Sequence, residues 1–117
     1  LILKGNVSNV DDYYKSSSIF VMTSRFEGLP MTLLEAKSYG LPIVSFDCLT
    51  GPSDIIRNDF NGYLVEENNV EEMICKINKV LKNRNKLNEF SVNSKVDIDK
   101  FKIETILNKW RRVLEDI

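Results

Sequence analysis

A chain of 117 residues with 43% hydrophobic and 28% charged residues is sized for one globular domain, enough for a core and small for an enzyme with two substrates. The net charge of -1 at pH 7, with basic and acidic residues interleaved, excludes the concentrated positive face that nucleic-acid binding requires. Two cysteines and no histidine exclude a zinc-ligand cluster and a Cys/His dyad.

The chain opens on Leu1 rather than Met, and Leu1, Ile2 and Leu3 read as a weak strand with no loop before it, so a part of a longer protein is expected, incomplete at its N-terminus. There is no signal-peptide pattern at this start and no apolar run of the roughly 20 residues that cross a bilayer. A cytoplasmic address follows. Val10, Tyr13 and Tyr14 recur at helical spacing and give a short first helix, with Ser8 or Asn9 as its N-cap. Ile19, Phe20, Val21 and Met22 form an apolar, partly β-branched run, as do Pro42, Ile43, Val44, Ser45 and Phe46, and both read as strands. Between them a helix over 31–39 starts beside Pro30 and is stopped by Gly40, Leu41 and Pro42.

Residues 49–53 form a turn, and 52–57 a helix of little more than one turn, broken over 58–62 before a weaker strand at Tyr63, Leu64 and Val65. Val70, Met73, Ile74, Ile77, Val80 and Leu81 keep the three-four spacing of an amphipathic helix over 70–81, with Asn69 as its cap. Cys75 is placed in that helix's apolar stripe and so in the core; Cys48 and Cys75 are read as reduced thiols. A polar, Lys/Asn-rich stretch over 82–86 precedes two further helices, over 87–92 and 101–117. The last has Ile103, Ile106, Leu107, Trp110, Val113 and Leu114 on its apolar face, with Trp110 read as packing. Strands alternating with helices define an α/β fold with an open parallel sheet.

Residues 24–30 follow the C-terminal end of the second strand and lead into a helix, the place where open α/β sheets bind ligands. Gly28 permits close backbone approach, and the helix offers free N–H groups at Met31 and Thr32 with a partial positive charge behind them, which suits a diphosphate. Glu35, one turn in, leans back toward that anion site. A carboxylate only accepts hydrogen bonds, so it suits the two adjacent hydroxyls of a ribose. Glu27, on the other side, is placed to accept from hydroxyls of a transferred sugar. From the residues alone, a plainer account stands beside this one: the helix dipole favours Glu35 whatever its role, and a loop residue such as Glu27 is commonly just solvated.

The run from Ser24 to Val44, with Glu27 and Glu35 separated by seven residues, resembles the C-terminal domain of the retaining glycosyltransferases of family 4. The likeness extends through Lys4-Gly5-Asn6-Val7, Tyr14, the Gly51-Pro52-Ser53-Asp54-Ile55-Ile56 segment and Asn61-Gly62-Tyr63-Leu64-Val65 to a final Trp-bearing helix. It implies a Rossmann-like open parallel sheet flanked by helices, the C-terminal half of a GT-B fold, over residues 1–117. It implies that Glu27 contacts the donor sugar as the catalytic-site carboxylate. Gly28, Leu29, Pro30, Met31 and Thr32 would meet sugar and phosphate, Glu35 would take the ribose hydroxyls, and the Val7 backbone would lie near the base.

The implied reaction moves a hexose or N-acetylhexosamine from a UDP- or GDP-linked sugar to a glycan or lipid-linked acceptor, with retention, no essential metal and no cofactor besides the donor. The acceptor would be held by an N-terminal domain, and the setting would be bacterial surface polysaccharide synthesis at the inner face of the membrane. The family's Arg and Lys for the diphosphate fall upstream of this chain, and neither Arg25 nor Lys4 occupies their motif. After the Glu-Ala pair this chain has Lys37 and Ser38 where the family favours a small apolar residue and Met, which is expected to alter an exposed helix face. The alternatives are a non-catalytic nucleotide-sugar-binding module and a nucleotide-sugar epimerase of the same fold.

Overall fold

The computed structural model describes residues 1–96 and 98–117. Three strands, Phe20–Met22 (β1), Ile43–Phe46 (β2) and Gly62–Val65 (β3), form a sheet in the order β1-β2-β3. Both pairings are parallel, with Phe20 opposite Ile43 and Ile43 opposite Gly62. At Gly62 a Cβ would stand 2.1 Å from the Ile43 carbonyl oxygen, so only glycine fits where β3 meets β2. The helices Val10–Ser16 (α1), Met31–Ser38 (α2), Pro52–Ile55 (α3), Val70–Leu81 (α4), Arg84–Ser94 (α5) and Ile103–Glu115 (α6) complete the chain, with a short 3-10 helix at Ile98–Phe101.

The middle strand β2 is buried at all four of its residues. Side chains alternate along a strand, and here they divide the core in two. Ile43 packs with Tyr14 of α1, Leu33 and Ala36 of α2, Ile55 of α3, and Met22, Leu41 and Ile56. Val44 and Phe46 face the other way, onto Tyr63, Val65, Met73 and Val80 of α4, and Phe90 of α5. Helices α1, α2 and α3 therefore cover one face and α4 and α5 the other. Since the strands are parallel, the loops after β1, β2 and β3 all emerge at one edge.

Most expected elements are present, and their bounds have local causes. Asn69 caps α4, its side-chain oxygen accepting from the Glu72 N–H at 3.0 Å. The α5 helix begins at Arg84, inside the Lys/Asn-rich stretch, because Asn83 caps it through the Lys86 N–H at 3.1 Å. Gly40, at φ +72, lies just past α2 in the left-handed region that ends helices.

Four expectations are corrected. Residues 1–3 are not a strand: no strand pairs with them among the described residues, and Leu1, Ile2 and Leu3 are exposed. An unpaired strand leaves its backbone groups without partners. Lys37 is fully buried rather than on an exposed face, because α2 is covered by the sheet on one side and by α3 and the 3-10 helix on another. Its Nζ donates to the Ile55 carbonyl at 3.0 Å, at the negative end of α3. Cys75 is exposed, since it stands about 200° around α4 from the buried Met73. Cys48 is buried, and both thiols are free. Finally, α6 buries none of its residues; Trp110 is 60% exposed, so its packing role is not met among the described residues.

Candidate functional site

The loop of residues 23–30 leaves β1 at the edge where all three post-strand loops gather and delivers the chain into α2. Pro30 is buried and stands at the N-cap, where it supplies no side-chain bond to the first turn. The first intrahelical contact is the Leu33 N–H on the Pro30 carbonyl at 3.1 Å. Met31 and Thr32, at the positions whose N–H groups a helix leaves unpaired, are exposed. No acidic residue lies in the first turn of α2, so the residues of that turn do not offset the positive end of its dipole. A Cβ at Gly28 would meet nothing within 4 Å, so the space on that side of the residue is open. Such an end can receive an anion.

The two carboxylates flank this point. Glu27 is partly buried in the loop before the helix, and Glu35 is exposed one turn within it. The Tyr14 hydroxyl donates to Glu35 Oε2 at 2.9 Å, from α1 to α2. Tyr14 is itself fixed by a stacked Tyr39 ring, with centroids 5.3 Å apart, and by Phe20 at 6.0 Å. Burial, and then the Glu35 carboxylate beside it, push the Tyr14 phenol up to about 12, so it remains a donor at neutral pH. One oxygen of Glu35 is thereby held and its side chain oriented. A shallow apolar depression of about 230 Å³ adjoins Glu35, lined by Met31, Leu34 and Phe101 among others.

Gly28, Leu29, Pro30, Met31, Thr32 and Glu35 are thus brought to one helix end, with Glu27 immediately before them. Leu29 is exposed. Val7 is partly buried in the irregular segment ahead of α1. The part sequence reasoning missed is the Tyr14 contact: helical spacing placed Tyr14 on α1, but nothing local points to a partner 21 residues away. Among the described residues no group of His, Cys, Asp and Glu could hold a metal ion, and no helix is long and apolar enough to cross a membrane.

The fold and the edge on which these groups lie define a Rossmann-like α/β domain with a parallel sheet flanked by helices. The chain belongs to the family described as glycosyl transferases group 1, whose model matches residues 1–97. It is 39% identical over 105 residues to the amylovoran biosynthesis glycosyltransferase AmsD of Erwinia amylovora, which covers 90% of this chain and 29% of that protein. It is 34% identical over 111 residues to a poly(ribitol-phosphate) alpha-N-acetylglucosaminyltransferase of Staphylococcus aureus, covering 94% of this chain and 22% of that protein. A crystal structure of a variant of S. aureus TarM in complex with fondaparinux, alpha-GlcNAc-glycerol and UDP is similar with a TM-score of 0.88 at 34% identity. It covers 95% of this chain and 23% of that one. The chain therefore spans less than a third of the length of these relatives.

Proposed function

We propose that the chain is the donor-binding part of a retaining glycosyltransferase of family 4, the C-terminal domain of a two-domain GT-B enzyme. The enzyme moves a hexose or N-acetylhexosamine from a UDP- or GDP-linked sugar to a glycan or lipid-linked acceptor. The observation that carries this reading is the uncapped N-terminus of α2, bracketed by Glu27 and by a Glu35 that Tyr14 holds in place. The amide groups at that end take the diphosphate. Glu35 accepts from the ribose hydroxyls, and Glu27 orients the sugar without attacking it. Val7 contributes backbone near the base.

Catalysis in this reading is mainly positioning and charge stabilisation. The donor is fixed by its phosphates, ribose and sugar at three points along one helix end, and the acceptor approaches from an N-terminal domain. The diphosphate's cationic partners come from sequence upstream, and no metal or further cofactor takes part. Family membership supports this reading, as does the UDP and GlcNAc-bearing ligand in the S. aureus TarM complex. The Erwinia relative is named for amylovoran biosynthesis, which supports a role in polysaccharide synthesis; in the reading proposed, that role is surface polysaccharide synthesis, in the cytoplasm at the inner face of the membrane.

The test is a titration with a panel of UDP- and GDP-sugars followed by amide NMR. Shifts are expected at residues 28–35 and at Val7; shifts confined to other surfaces would sink the site. In the full-length protein, Glu27→Ala is expected to lower turnover more than affinity for the nucleoside diphosphate. Wild-type kinetics in Glu27→Ala and Glu35→Ala together would remove the mechanism.

A further inference from the structure

Residues 24–29 belong to no helix or strand. Among the described residues one hydrogen bond reaches their backbone, and it comes from the loop after β2: the Thr50 hydroxyl donates to the Glu27 carbonyl oxygen. The next residue, Gly51, lies at φ +98, outside the range of ordinary side-chain-bearing residues. A Cβ there would stand 2.2 Å from the Gly28 carbonyl oxygen and 2.6 Å from Cδ of Pro30. The two loops therefore touch backbone to backbone at the residues that precede α2.

The second loop is itself anchored. The buried Cys48 thiol approaches the Thr50 carbonyl at 3.7 Å. Gly51 is the N-cap of α3, its carbonyl accepting the Asp54 N–H at 3.0 Å. Ile55 and Ile56 fix the other end of α3 in the core, and the Ile55 carbonyl receives Lys37 from α2. Helix α3 is thus tied to α2 at both ends, through Lys37 at one and through Gly51 against Gly28 and Pro30 at the other.

We infer that Thr50 is a positioning residue for the transfer reaction, fixing the Glu27–Gly28 peptide through its hydroxyl while Gly51 sets how closely the two loops approach. This rests on the donor-site reading and adds to it a residue outside the paired-carboxylate run. Thr50 sets where the Glu27 side chain begins without touching the donor. It acts on the sugar end of the site, because Glu35 is held separately by Tyr14.

The test compares Thr50→Val, which keeps the shape and removes the donor, with Thr50→Ser, which keeps the hydroxyl. The full-length protein is assayed with whichever UDP- or GDP-sugar of the panel it turns over fastest. Thr50→Val is expected to lower kcat roughly five- to tenfold, the scale of one lost hydrogen bond, with KM and affinity for the free nucleoside diphosphate changed by less than about twofold. Thr50→Ser is expected to restore kcat. In the ligand-free protein the amides of Glu27 and Gly28 should shift in Thr50→Val and return in Thr50→Ser.

A wild-type kcat in Thr50→Val, or a Thr50→Ser as slow as Thr50→Val, would overturn the inference. Glu27→Ala separates the two levels. If it is slow while Thr50→Val is normal, the clamp fails and the donor site stands. If neither variant alters turnover, or no sugar in the panel is used, the donor-site reading fails and the inference with it.

Discussion

Helices α2 and α4 both begin at the same edge of the sheet, a few residues after β1 and β3, yet their N-termini are built in opposite ways. Asn69 caps α4, and Glu71 and Glu72 lie in its first turn, so its free amides and dipole are answered within the chain. Helix α2 has neither a side-chain cap nor an acid in its first turn. The difference separates a scaffold helix, complete in itself, from one whose exposed end is left open, as the proposed donor site requires.

The largest expected effect is on the scaffold side. Phe90→Ala, in the core that α4 and α5 form with the sheet, should lower stability by about 3–5 kcal/mol in chemical denaturation. The molecules that remain folded should still show donor-induced amide shifts at residues 28–35; losing them would break the division between the faces.

Next comes the site side. Glu35→Ala should weaken UDP binding by about 1.5–3 kcal/mol, the range for hydrogen bonds to a charged group, read by calorimetry. Stability should fall as well, by about 1–3 kcal/mol, because the buried Tyr14 hydroxyl loses its acceptor. A smaller change separates the two helix ends directly: Asn69→Ala should cost about 1 kcal/mol of stability and leave UDP affinity unaltered.

The last effect is confined to high pH. Tyr14 on one face and Tyr63 on the other are both raised from 10.0 to about 12 by burial and by a neighbouring carboxylate, Glu35 and Asp59 respectively. The unfolded chain gives up these protons first, so their contribution is complete below pH 10 and is lost as pH rises toward about 12. Tyr14→Phe and Tyr63→Phe should each flatten part of that alkaline decline in denaturation midpoints. A decline of full size in the double variant would show that other groups govern it.

Legibility in the sequence followed how local each cause was. The bounds of α4 could be read because its apolar spacing and its Asn69 cap are both contained in the segment. The place of Glu27 and Glu35 around the start of α2 could be read because strand, glycine, proline and helix follow one another directly. Lys37 could not: a lysine is expected in water, and the carbonyl that receives it belongs to Ile55, 18 residues on. The Thr50 bond to Glu27 spans 23 residues and the Tyr14 bond to Glu35 spans 21, so both follow from tertiary packing alone. Cys75 departs from its expected place because apolar neighbours along α4 do not fix a face: about 200° from Met73, it turns to solvent.

Trp110 is the only tryptophan in the chain, and it lies exposed on α6 rather than in either core. The tryptophan fluorescence of the protein, excited beyond the tyrosine band, is therefore a label on one helix. It should respond little when a nucleotide fills the end of α2. A blue shift on mixing would instead report that something had settled over Ile106, Trp110 and Val113, with no dye or mutation required.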